Sequence, residues 1–182
     1  MQMLKPRLLV LISMILVAAA SRLIPHPPNV TSLTALALFG GAYFSDRRLA
    51  FLVPLTVLFL SDLVLGFYHH MEVVYLSFAL IVAIGLWLQK RRTALSIAGA
   101  ALTSSVLFFV LTNFGVWAFD ALYPKTLEGL IACYVAAIPF FQNTLLGDLL
   151  YTAVLFGGFA LLEMRLAVLR DDPVVTKAAL TA

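Results

Sequence analysis

The chain is predicted to fold as an all-α, multi-pass membrane protein, and three observations carry that expectation. Of its 182 residues, 63% are hydrophobic and 12% charged, with a mean hydropathy of +1.03. A soluble domain carries about half apolar and about a quarter charged residues, so a soluble enzyme, a nucleic-acid binder and a disordered regulator are excluded. Apolar runs of near-spanning length recur from end to end, and basic residues gather in alternate intervals between them.

A helix crossing about 30 Å of hydrocarbon at about 1.5 Å per residue needs roughly 20 apolar residues. Leu8 to Ile24 is the first such run, closed by Pro25-His26-Pro27-Pro28-Asn29, which cannot continue a helix. Thr31 to Phe44 is the second and is short, so it belongs in a thinned or protein-lined site. Leu49 to Phe67, Val73 to Leu88 and Ala94 to Phe119 are the third, fourth and fifth. Leu127 to Leu162 contains Pro139, which reads as a break between a short helix ending near Ile138 and a full span from Phe141. Six spans result, with an extra half-helix before the last, in a single integral membrane domain over residues 1–182.

Orientation follows from the basic side chains. With the N-terminus in the cytoplasm, Lys5, Arg7, Arg47, Arg48, Lys90, Arg91, Arg92, Arg165, Arg170 and Lys177 are inside, and only Arg22 and Lys125 are outside. That asymmetry obeys the positive-inside rule and explains the pI of about 9.2 without a nucleic-acid partner. A short N-terminus and a tail from residue 165 to 182 are then cytoplasmic. Lys5, Arg7, the first apolar run and Ala18-Ala19-Ala20 imitate a cleavable signal peptide, whereas Arg22-Leu23-Ile24-Pro25 looks like the end of a retained helix.

Two carboxylates fall inside spans, Asp62 in Ser61-Asp62-Leu63 and Asp148 in Gly147-Asp148-Leu149. Each is expected about five residues below the outer end, roughly 7 to 8 Å deep. A carboxylate there is costly unless it faces a polar interior, which marks it as a candidate site; a structural role, locking helix packing or capping a broken helix, carries equal weight. Asn113, Asn143, Tyr68, Trp117 and Tyr123 approach the same outer end, as do His69 and His70. Taken singly, the aromatic residues read as an interfacial belt. Taken together, they describe a polar and aromatic cavity open to the outside.

Metal chemistry rests on His70 and Cys133. Adjacent histidines cannot share one ion from a helix face, but neutral imidazole is a good ligand for cobalt, zinc or nickel. The single cysteine excludes a disulfide framework and reads first as a small packing residue. No His-Glu-x-x-His, Gly-rich phosphate loop or Gly-x-Ser-x-Gly occurs, so zinc proteolysis, nucleotide hydrolysis and ester hydrolysis lack their signatures. Small residues mark close packing, with Ala37-x-x-x-Gly41 in the second span, Ala98-Gly99-Ala100-Ala101 and Gly157-Gly158.

Thr34-Ala35-Leu36-Ala37-Leu38-Phe39-Gly40-Gly41-Ala42, Leu60-Ser61-Asp62-Leu63-Val64-Leu65-Gly66, Thr112-Asn113-Phe114-Gly115-Val116-Trp117 and Cys133-Tyr134 through Pro139-Phe140-Phe141 resemble a family of small bacterial inner-membrane proteins of unknown function. More distantly, the chain resembles the S components of energy-coupling-factor vitamin transporters, among them the solitary BtuM-type cobalamin transporters. That resemblance implies an S-component-like bundle that takes a vitamin from outer loops and helix ends, and a cobalt ligand of bound cobalamin at Cys133 or His70. It requires no resident cofactor, since cobalamin would be cargo. The Ala-x-x-x-Ala used for docking to a shared coupling subunit is missing from Leu8 to Met14, which implies either a solitary protein or one that is not a transporter.

The expected function is therefore capture and uptake of a vitamin-like small molecule, with the bilayer, the ligand and at most a coupling subunit as partners. The bound molecule would contact Asp62, Tyr68, His69, His70, Asn113, Trp117, Tyr123, Asn143 and Asp148. Two other classes compete: a membrane scaffold seating a partner on small-residue faces, and an intramembrane enzyme whose Asp62 and Asp148 meet.

Overall fold

The computed structural model describes residues 6–170, and among them only helices and loops are found. Lys5, Lys177 and most of the expected cytoplasmic tail are outside the described residues. Helix α1 is Pro6–Ala20, continued by a 3-10 turn at Ser21–Leu23; α2 is Leu33–Tyr43, α3 Arg47–Leu65, α4 Met71–Leu88 and α5 Ala94–Phe119. Helix α6, Leu127–Thr152, runs through a π-turn at Ala153–Gly157 into α7, Gly158–Arg165. Five runs are long and apolar enough to cross a membrane: Pro6–Leu23, Arg47–Leu65, Met71–Leu88, Ala94–Phe119 and Leu127–Arg165. The 11 residues of α2 rise only about 16 Å and fall short of a crossing.

Helix α2 is the axis of the bundle, and every residue from Thr34 to Phe44 is buried. Its small residues allow this. A Cβ on Gly41 would lie 2.3 Å from the Val82 carbonyl oxygen and 2.8 Å from the Gly85 Cα. A Cβ on Gly40 would meet the Pro54 ring at 2.5 Å. The chain thus crosses backbone to backbone with α4 and packs on the proline of α3, as small residues permit in membrane bundles. Ala37-x-x-x-Gly41 was legible as a close-approach motif; its partner Gly85 was not.

A buried helix leaves unpaired N–H and C=O groups at its ends. At the C-terminal end of α2, the Gln89 amide donates to the Gly41 and Phe44 carbonyl oxygens at 2.9 and 2.8 Å. Below it, Phe39, Tyr43, Phe156 and Phe159 form an aromatic cluster with centroids 4.7 to 5.9 Å apart. The guanidinium of Arg92 lies 4.7 Å above the Tyr43 ring, and that of Arg7 5.1 Å above Phe159. Arg7 also pairs with Glu163 at 2.6 Å. These cations lie at the negative end of the α2 dipole, where they are favourable. This basic end is called inner below, following the charge asymmetry, and the other outer.

The structure corrects two expectations. Pro139 does not break the last span, because α6 is helical from Leu127 through Thr152. Membrane helices tolerate an internal proline where neighbouring groups meet the freed backbone. The irregular turn comes later, as the π-turn. The second correction concerns depth. Asp148 bonds Ser105 of α5, which is 14 residues, or about 21 Å, below the outer end of that helix at Phe119. Asp148 therefore lies mid-bundle and not near the mouth, an error that followed from starting its span at Phe141.

Candidate functional site

The expected site residues fall into three groups, each tying together elements distant in sequence. The first surrounds Asp62, which is 1% exposed and three residues from the end of α3. Arg22, from the turn that ends α1, pairs with it at 3.0 Å. Arg22 also donates to the Ser61 hydroxyl, which donates in turn to the Leu58 carbonyl at 2.7 Å. The Tyr75 hydroxyl of α4 donates to the second carboxylate oxygen at 2.9 Å, and Tyr68 lies close enough to feel the same carboxylate. Burial first, and the Asp62 charge second, push the Tyr68 hydroxyl up to about 12. Arg22 was missed as the partner of Asp62, although a lone basic residue beside an intramembrane carboxylate is the signal that finds such a pair.

The second group joins the start of α4 to the loop between α5 and α6. His70 begins α4 with φ 57, a left-handed conformation uncommon for a side-chain-bearing residue. Its Nε2 lies 2.8 Å from Asp120 Oδ1 and its Nδ1 3.5 Å from Glu72. The hydrogen bond with Asp120 holds the imidazole above its ordinary range. The Lys125 ammonium donates to the backbone carbonyls of Trp117 and Asp120. The Trp117 indole donates to the Pro124 carbonyl at 2.9 Å. Gly129 permits the tight return into α6, since a Cβ there would fall 2.1 Å from the Pro124 carbonyl oxygen.

Cys133 is beneath this loop, 2% exposed, its Sγ donating to the Asn113 carbonyl at 3.4 Å. The Asn113 amide bonds back to Phe109 one turn earlier, at 2.8 Å. His69 is exposed, with its ring 6.2 Å from that of His70, and Tyr123 is half-buried in the loop. Among the described residues, no group of three or more His, Cys, Asp or Glu is placed to hold a metal ion.

The third group surrounds the N-terminal end of α2. Asp148, 1% exposed, has an oxygen 2.6 Å from the Ser105 hydroxyl, and Thr34 of α2 lies beside it. Ser32 does not cap α2 with its side chain and donates instead to the Ala18 carbonyl at 2.7 Å. A carboxyl group from α6 thus lies at the N-terminal end of α2, where an acceptor is favoured. One turn above, the Asn143 amide donates to the Pro28 carbonyl at 3.0 Å. Gly147 brings the 24–32 loop down onto α6, its missing Cβ 3.1 Å from Val30 Cα. Asp62 and Asp148 have different partners, and neither is hydrogen-bonded to the other.

Two depressions lie away from these groups. One, of about 130 Å³, is at the inner end between Arg7, Tyr43, Asp46 and Leu49. The other, of about 490 Å³, is an apolar groove between α1 and the π-turn, lined by Ser13, Met14, Val17, Tyr151 and Leu155 among others.

A family of unknown function (DUF6580) matches this chain over residues 2–170. No curated protein and no solved structure matches.

Proposed function

The chain belongs to that family of unknown function, and from its geometry we propose that it binds a vitamin-like small molecule from the outer side of a bacterial inner membrane and passes it inward, with cobalamin as the first candidate. In this proposal α1, α3, α4, α5 and the α6–α7 run cross the bilayer. Helix α2 completes a sixth pass as a buried half-helix, and both termini are cytoplasmic. Half-helices ending at mid-membrane are where transporters commonly build their sites.

One observation supports this reading above the others: the two ends of the bundle are closed by different means. The inner end is sealed by the packed aromatic cluster around Tyr43, with the Arg7–Glu163 pair and the Gln89 amide beside it. The outer end is held by polar links between separate elements, Arg22–Asp62–Tyr75, His70–Asp120 and Asn143–Pro28. A ligand with several hydrogen-bonding groups can replace such links one for one, so opening the outer end costs little net free energy, whereas opening a packed aromatic seal does not repay its cost. If cobalamin is the ligand, His70 is the better placed cobalt ligand. It would exchange Asp120 for the metal through Nε2, while Cys133 is covered.

The scaffold alternative draws less support, because the small residues of α2 are consumed inside the bundle; Gly99 and Gly157, with open space beside them, remain. The test is native mass spectrometry of the detergent-purified protein from cells fed a vitamin mixture. A bound mass lost in His70→Ala or Tyr68→Phe supports the proposal. A clean apo mass with a co-purifying protein favours the scaffold.

A further inference from the structure

We infer that Asp148 is a neutral carboxylic acid in the resting protein, and that it forms with Ser105 a proton-binding site in the middle of the membrane. A count of hydrogens requires it. A serine hydroxyl has one hydrogen to donate and two lone pairs that accept. The Ser105 Oγ has two partners, the Ala101 carbonyl oxygen at 3.0 Å and Asp148 Oδ2 at 2.6 Å. The carbonyl can only accept. If Asp148 were ionised, both partners would be acceptors sharing a single hydrogen. With the proton on Asp148 the count closes: the carboxyl O–H donates to Ser105, and Ser105 donates to Ala101. Both contacts are O–H···O bonds within the usual range of about 2.5–3.0 Å, and the shorter is the one that the more acidic carboxyl hydroxyl donates.

Ser61 makes the contrast. Its hydroxyl also donates to a carbonyl of its own helix, but its second partner is the Arg22 guanidinium, which donates. That count closes with Asp62 ionised, and the arginine supplies the counter-charge. Asp148 has none. Facing it are Ser105 from α5 and Thr34 from α2, with Val30 and Thr31 of the 24–32 loop beside Gly147. Helix α5 carries no acidic or basic side chain. The only titratable group of α2 is Tyr43, at the opposite end, and the nearest on α6 is Tyr151, which lines the groove with α1. No cation pairs with Asp148 among the described residues, and an unpaired charge at this depth costs several kcal/mol. A proton removes that cost.

The site would release its proton to water only when the 24–32 loop or α2 withdraws from α6. This inference is independent of any ligand. It is tested by infrared spectroscopy of the full chain in lipid, with and without isotopic labelling of aspartate. A label-sensitive C=O band of a protonated carboxyl is expected at pH 7. It should be lost in Asp148→Asn, kept in Asp62→Asn, and moved to higher frequency in Ser105→Ala, where the acid loses its acceptor. Asparagine can donate its amide N–H to Ser105 in place of the acid, so Asp148→Asn is expected to fold. Were it not to fold, the labelled wild-type band and its displacement in Ser105→Ala decide the matter. Absence of any protonated aspartate band at pH 7, or a band that follows Asp62, overturns the inference.

Discussion

Removing Arg22 tests the most deeply buried ion pair among the described residues. Arg22 and Asp62 are 3.0 Å apart, with side chains 12% and 1% exposed. At an effective dielectric of about 20 their gross attraction is roughly 5 to 6 kcal/mol. Much of that offsets the desolvation of both ions, and breaking a buried pair by deleting one partner costs about 3–5 kcal/mol. In Arg22→Met the Tyr75 hydroxyl still bonds the carboxylate, so the lower figure applies, about 3 kcal/mol. Asp62→Asn should cost only about 1 kcal/mol, because the long arginine keeps Ser61 and can turn its head toward water. The double variant leaves no buried charge and should cost about 2 kcal/mol, against about 4 if the effects simply added. Denaturant unfolding in mild detergent, followed by tryptophan fluorescence, reads all four proteins. A double variant at the additive value would refute the ion-pair argument.

Gly85→Ala should destabilise by about 1–3 kcal/mol or more, since its Cβ would fall 2.4 Å from the Leu38 carbonyl oxygen; size-exclusion monodispersity after heating checks this. Gly99→Ala, with nothing within 4 Å of the new Cβ, should be neutral or stabilising by up to about 1 kcal/mol through helix propensity. Gln89→Leu leaves the Gly41 and Phe44 carbonyls without their donor and should cost about 2 kcal/mol in the same unfolding assay. Because Asp120 raises the His70 value in the folded state, the imidazolium–Asp120 tie is complete below the unfolded histidine value. It weakens as pH rises through the folded one. Amide exchange in residues 119–125 should therefore accelerate with pH beyond its intrinsic dependence, and His70→Gln should abolish the excess.

The long apolar runs were legible because a hydrocarbon solvent demands them, and their bounds differ from the observed helices by only a few residues at most ends. The fate of the short second run was legible only in part. Its length excluded an ordinary crossing and its small residues implied contact, but Gly85 and Pro54 become partners only through tertiary placement. The candidate residues other than Asp148 lie toward the end of the bundle opposite the basic cluster, and their grouping was hidden. Arg22 and Asp62 are 40 positions apart and His70 and Asp120 are 50 apart, and nothing local links them. Pro139 misled for a physical reason: proline ends helices in water, where the freed backbone meets solvent, whereas a helix in a membrane has more to lose by stopping. The misplaced depth of Asp148 followed from that error, and it hid the distinction between Asp62, paired with Arg22, and Asp148, which pairs with no cation among the described residues.

Sidedness of capture tests the proposed function most directly. Right-side-out and inside-out membrane vesicles carrying the chain would be incubated with a labelled B-vitamin mixture that includes cobalamin, then washed and counted against vesicles lacking it. Retention by right-side-out vesicles alone, reduced in His70→Ala, is the expected result. Equal retention from both faces, or none from either, would contradict uptake from the outer side.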